Sequence, residues 1–127
     1  MHELPLARSM YRTVMTKAQA CGATAIKRVV IEAGELREYV EVILQKYWDY
    51  VSRGSIAEGA KVELISLPAT VRCGKCEKVY AIDAENLMNS KCPDCGYDRG
   101  ELLTGRELRI KGIEIVEKKD FIPCYKV

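Results

Sequence analysis

This chain is short of the residues that usually announce catalysis. It holds one histidine in 127 residues, and that one is at position 2. It has no glycine-rich phosphate loop and no nucleophile elbow. Glu32, Glu35, Glu38 and Glu41 lie close in sequence, but no acid–base pair follows without a pocket around them. With no catalytic constellation visible, the chain is not read as an enzyme. Charge of one sign is also scarce. Twenty basic residues face 18 acidic ones, a formal net charge of +2, which is not the footprint of a nucleic-acid-binding chain. No apolar run approaches the roughly 20 residues needed to span a membrane. The opening residues do not read as a signal peptide, since acidic Glu3 comes early and no long apolar segment follows. The expected compartment is therefore a reducing cytoplasm, where cysteines bind metal rather than cross-link. No internal repeat or low-complexity segment interrupts the chain, and a hydrophobic share of 48% suffices for a core.

Cysteine is what the chain has in unusual arrangement. Cys73-Gly74-Lys75-Cys76 and Cys92-Pro93-Asp94-Cys95 are two C-x-x-C pairs, separated by Glu77 to Lys91. This is the spacing of a structural tetrathiolate zinc site. Each pair offers two thiolates on one side of a tight turn, and the loop between is long enough to close a tetrahedron. Gly74 and Gly96 are expected at positive φ, and Pro93 stiffens the second turn. Such a site builds a lobe and leaves no open coordination position. The competing reading is a pair of dithiols or disulfides. From Thr70 to Glu101 acidic residues outnumber basic ones, and four thiolates on one dication add about −2. Lys75, Lys78 and Lys91 are expected to offset that charge locally.

The rest of the pattern is α+β. Leu6, Met10, Val14 and Ala18 recur every four residues, predicting a helix over 4–21, with Pro5 in its first turn and Gly22 as its stop. Residues 26–32 are rich in β-branched side chains and read as a strand. Val40, Ile43, Leu44, Tyr47, Trp48 and Val51 form a second helical stripe. Residues 60–67 alternate as a strand that Pro68 ends. Residues 107–117 make a third, with a bulge at Gly112 where the apolar phase switches. The expected architecture is two helices against a three-stranded mixed sheet, with an inserted zinc-ribbon-like lobe. The domain bounds are 1–69 plus 104–127 for the α/β body and 70–103 for the lobe. Cys21 is expected to pack as a small apolar residue. Cys124 and the tail 118–127 carry no spacing argument.

His2 is the candidate for a functional role. An imidazole at position 2 binds metal together with its own backbone nitrogen and the terminal amine, closing fused chelate rings. Amide nitrogens deprotonate under strong-field ions such as Ni(II) or Cu(II), which favour a square-planar nitrogen set. Zinc prefers a tetrahedron and gains little from it. Glu3 adds a backbone nitrogen or a carboxylate. The plainer alternative is an idle histidine at a chain end.

The opening Met1-His2-Glu3-Leu4 resembles the start of the HypA/HybF family, the nickel chaperones of [NiFe]-hydrogenase maturation. Further pieces fall in that family's order: Val30-Ile31-Glu32-Ala33-Gly34-Glu35-Leu36, then Ser55-Ile56-Ala57-Glu58-Gly59-Ala60, the cysteine quartet, and Thr104-Gly105-Arg106-Glu107-Leu108. The match covers about residues 1–116. The resemblance implies nickel bound at His2 through its imidazole and the backbone nitrogens of His2 and Glu3. The Met1 amine is a further ligand, since methionine is expected to stay before so large a residue. It also implies a nickel-handling GTPase partner, HypB, and a hydrogenase large subunit as recipient. Some members use an acidic side chain where this chain has Val40, which cannot bind. Glu38 or Glu41 could substitute, against the plainer reading of solvated helix residues. An exposed sheet edge could pair two copies into a homodimer. The reading from another class is a zinc-ribbon interaction module of a transcription or ribosomal assembly, with His2 idle. A third is a redox protein working through its C-x-x-C pairs.

Overall fold

A computed structural model describes residues 3–83 and 90–117. The elements run α1 (Glu3–Ala20), β1 (Ala23–Gly34), a 3-10 turn (Glu35–Arg37), α2 (Glu41–Val51), β2 (Lys61–Leu67), β3 (Ala69–Cys73), β4 (Val79–Ile82), β5 (Gly100–Thr104) and β6 (Leu108–Glu117). They form two three-stranded sheets, ordered β2-β1-β6 and β4-β3-β5. The chain divides into two compact units. One comprises residues 1–32, 39–65 and 109–127; the other comprises 33–38 and 66–108.

In the first unit, two helices and the larger sheet share one core. Leu6, Met10, Val14 and Ala18 are all buried, as their four-residue spacing predicts. Gly22, at φ +71°, ends α1 in the left-handed region that favours glycine. From α2, Leu44 and Trp48 are fully buried, and the Trp48 ring meets Tyr11 edge to face at 6.1 Å. Val29 and Ile31 of β1, Val62 of β2 and Ile113 and Ile115 of β6 complete the cluster. Burying each such side chain contributes about 1.5–3 kcal/mol. Gly112 and Ile113 are adjacent and both buried, which is where the apolar phase of β6 changes. Thr24 Oγ1 donates to Val116 O, and Gly34 N–H to Glu107 O, so β1 and β6 run antiparallel.

The Ser55–Ala60 segment is a built turn. Ser55 Oγ donates to Ser52 O and accepts from Ala57 N–H, while Ala57 and Ala60 are fully buried. One edge of the larger sheet is taken up by side chains of α2 rather than by a strand. Val62 N–H donates to Gln45 Oε1 at 2.7 Å and Leu64 N–H to Glu41 Oε2 at 2.8 Å. Filling an edge in this way removes the free donors that invite a second chain.

The second unit is a small sheet with β3 at its centre, antiparallel to both neighbours. Val71 pairs with Tyr80 on one side and Leu102 on the other. These strands inside the cysteine lobe were not anticipated. The signal was faint: Ala69, Val71 and Cys73 alternate inward with Thr70 and Arg72 outward over only five residues.

Candidate metal centre

The four sequence-predicted cysteines converge. Their sulfur atoms all lie within 4.8 Å of one another. Cys73 Sγ is 3.5 Å from Cys95 Sγ, and Cys76 Sγ is 3.5 Å from Cys92 Sγ. A tetrahedral zinc at about 2.3 Å from each sulfur needs sulfur–sulfur separations near 3.8 Å, so the quartet matches the group that the spacing implies. All four are free thiols, with Cys73 and Cys92 buried and Cys76 and Cys95 exposed.

Both turns aim backbone N–H groups at sulfur. Lys75 N–H and Cys76 N–H point to Cys73 Sγ at 3.4 and 3.5 Å. The second turn repeats the scheme, with the N–H groups of Cys95 and Asp94 on Cys92. Glycine does not fall quite as expected. Gly96 has φ +76°, but in the first turn the matching left-handed residue is Glu77, at φ +65°, and not Gly74. Gly74 is small because of crowding: a Cβ there would sit 3.3 Å from Arg99 O and from the Tyr97 ring. Of the lysines expected to offset thiolate charge, Lys78 instead pairs with Asp94 at 3.5 Å.

The thiols divide the available charge unevenly. The Cys76 N–H, with Lys75 N–H and the neighbouring thiols, holds Cys73 down to about 6 despite its burial. At Cys76 the Lys78 N–H works in the lowering direction, but the Cys92 side chain, burial and the other two thiols push it up to about 12. At Cys95 the Tyr97 N–H lowers, and burial with its neighbours raises further. Four thiolates this close need a cation before all can ionise. Cys76 and Cys95 are therefore protonated at neutral pH when no metal is bound, and an ion held by all four sulfurs must displace those protons. Calorimetry in buffers of different ionisation enthalpy should show at least two protons, those of Cys76 and Cys95, released per metal ion near pH ~7.5. Apparent affinity should rise with pH and fall more steeply below about pH 6, where Cys73 also takes a proton. A proton count near zero would refute this charge distribution.

The other predicted site residues are placed separately. Met1, His2, Cys124 and the tail 118–127 lie outside the described residues. Glu3 opens α1 and is buried. Its carboxylate accepts a hydrogen bond from Val40 N–H at 3.0 Å, a contact that the sequence did not suggest. Glu41 is occupied on the edge of β2, and Glu38 is exposed at φ +58°. Among the described residues, the cysteine quartet is the group that could hold a metal ion. Cys21 packs against the core but is also disulfide-bonded, so apolar packing is not its whole role. Among the described residues, no helix is long and apolar enough to cross a membrane.

The remaining motif fragments are structural and meet one another. Gly34 N–H donates to Glu107 O at 2.8 Å and Leu36 N–H to Gly105 O at 3.0 Å. Glu35 Oε1 accepts from Ala69 N–H, Arg37 Nε donates to Arg106 O, and Gly105 N–H donates to Glu107 Oε1. Glu32, almost buried, pairs with Arg109 at 2.6 Å.

Comparison with known proteins bears on the whole arrangement. The family model described as "Hydrogenase/urease nickel incorporation, metallochaperone, hypA" matches residues 1–115. The hydrogenase maturation factor HypA of Rhodobacter capsulatus is 34% identical over 116 residues, covering 91% of this chain and all of the relative. That of Methanothermobacter thermautotrophicus is 35% identical over 128 residues, covering 94% of this chain and all of the relative. The solution structure of the Ni metallochaperone HypA from Helicobacter pylori aligns with a TM-score of 0.62 at 20% identity, over 93% of this chain and 100% of that one. A second HypA solution structure aligns with a TM-score of 0.66, also at 20% identity, over 93% of this chain and 98% of that one. These two establish the shared fold. Matched along nearly its full length, with the family's cysteine quartet folded into one cluster, this chain belongs to the HypA family of nickel metallochaperones in hydrogenase maturation.

Proposed function

We propose that this chain takes up Ni(II) at its N-terminus and delivers it, in the cytoplasm, to the large subunit of a [NiFe]-hydrogenase, working with the GTPase HypB. The ligands are the His2 imidazole, the backbone nitrogens of His2 and Glu3, and the Met1 amine. Cys73, Cys76, Cys92 and Cys95 hold a structural zinc. The observation that carries this reading is the family match beginning at residue 1, so that it includes His2. Coordination chemistry supports it, because deprotonated amides select Ni(II) over Zn(II). The zinc, bound by four thiolates, supplies folding energy and no reactive position. A terminal nitrogen site can be emptied by protonating its ligands without opening a cage, which suits a protein that must release its cargo. With the β2 edge filled by α2 side chains, a homodimer formed through the larger sheet would use β6.

Nothing favours the ribbon reading. Arg72 pairs with Glu101 and Lys78 with Asp94, so two of the lobe's cations are already matched by acids.

The test is a nickel titration of zinc-loaded protein with a native N-terminus, beside His2→Ala. The expected result is one nickel per chain, lost in His2→Ala with zinc content unchanged. Equal nickel uptake by both proteins would sink the reading.

A further inference from the structure

We propose that Glu3 is a positioning residue for the nickel-binding terminus: its carboxylate fastens the start of α1 to the start of α2, and nickel takes from Glu3 its backbone nitrogen alone. This rests on the N-terminal nickel site proposed above.

The side chain is buried and bonded within the fold. Glu3 is only 3% exposed. A carboxylate removed from water is destabilising unless hydrogen-bonded. Its partner is the N–H of Val40, 37 residues away, at 3.0 Å. Val40 is the N-cap of α2, with φ −113° and ψ 122°, and its side chain makes no cap bond. In a capping box, the residue three positions into the helix reaches back to the N-cap N–H with a Glu or Gln side chain. In α2 that position is Ile43, which has no acceptor. Glu3 supplies the missing half of the box from another helix. Its negative charge also lies at the start of α1 and bonds the N-cap of α2, and both helix ends are partially positive.

The backbone nitrogen of the same residue has no partner within its own helix. Glu3 is the first residue of α1, so its N–H has no carbonyl four residues back within the helix. Nickel that displaces this amide proton to solvent forms a metal–nitrogen bond and breaks no helical hydrogen bond. Glu3 thus divides its duties: the side chain holds the first turn in place, and the amide carries no intrahelical hydrogen bond. The arrangement favours a nitrogen set, hence square-planar Ni(II), over a set that includes carboxylate oxygen.

The test uses the full, zinc-loaded chain with a native N-terminus, in wild-type, Glu3→Gln and Glu3→Ala forms. Three quantities are read: hydrogen exchange of the Val40 amide, nickel affinity, and the d–d absorption of bound Ni(II). Glutamine keeps an acceptor oxygen at the same reach. Glu3→Gln should therefore rescue both Val40 protection and the wild-type nickel spectrum. Glu3→Ala should speed Val40 exchange and weaken nickel, each by roughly 10-fold or more, with the absorption band of bound nickel unmoved. A Glu3→Gln protein that keeps Val40 protected but loses the wild-type spectrum would overturn the proposal, because the carboxylate would then be a ligand. Unchanged Val40 exchange in Glu3→Ala would overturn the fastening. If Glu3→Ala fails to fold, Glu3→Gln alone decides by the same two readouts. A wild-type chain that binds no nickel at its terminus would overturn the functional reading and the ligand half of this proposal, while Val40 exchange would still judge the fastening.

Discussion

Cys92→Ser, or removal of the metal by a chelator, should unfold residues 66–108 and leave the helical unit standing. The two units differ sharply in what holds them. The helical unit has a continuous apolar cluster from Leu6 through Leu44 and Trp48 to Ile115. Among the described residues of the other unit, the buried apolar ones are Ala33, Ala69 and Val71, together with the cysteines Cys73 and Cys92 themselves. Ordering backbone costs about 1–2 kcal/mol per residue, and two alanines and a valine cannot offset that over so long a segment. A structural zinc, as proposed for the quartet, would contribute on the order of 10–16 kcal/mol and would then be the main stabiliser of the lobe. Backbone amide spectra of the full chain would check this. Signals from 66–108 should collapse toward unfolded positions while those of α1 and α2 stay dispersed, and protease should cut only within the lobe. A metal-free lobe that kept its exchange protection would show that its sheet stands without the metal.

Gly34→Ala is the second large effect expected. Gly34 has ordinary dihedral angles, φ −64° and ψ 142°, so any residue could adopt its conformation. Space is what forbids a side chain. A Cβ at Gly34 would lie 1.9 Å from the carbonyl carbon of Gly105 and 2.4 Å from the nitrogen of Arg106. Both are backbone atoms and cannot turn aside as a flexible side chain can. To make room, the two segments must part, which breaks the Gly34–Glu107 and Leu36–Gly105 hydrogen bonds. The expected loss is on the order of 3 kcal/mol or more. Gly59→Ala is the control. Gly59 has φ +81° with nothing near its Cβ position, so its cost should be only about 1 kcal/mol, from conformation alone. Denaturant melts of the two variants would check the ordering; equal losses would mean that the close approach at Gly34 relaxes cheaply.

Much of this molecule was legible from local pattern. Leu6, Met10, Val14 and Ala18 placed the buried face of α1, because one helical turn repeats every 3.6 residues whatever surrounds it. The stripe of α2 was equally plain, although Ile43, Tyr47 and Val51 are only half-buried or partly exposed and Val40 lies outside the helix as its N-cap. The cysteine spacing foretold a convergent quartet, since two thiols per tight turn leave few other ways to fold. The ordered motif fragments pointed to the family.

Tertiary structure alone decided the contacts between distant segments. Nothing near Glu3 in sequence shows that its carboxylate reaches Val40, or that Glu41 serves the edge of β2. The glycine of Gly34-Glu35-Leu36 acquires its reason only when Gly105 lies against it. The short strands of the lobe gain their identity from pairing around β3, not from propensity. A helix or a C-x-x-C turn is set by bonds among neighbours along the chain. A cross-chain hydrogen bond or a forbidden Cβ depends on where the backbone returns, and that is settled only when the whole chain has folded.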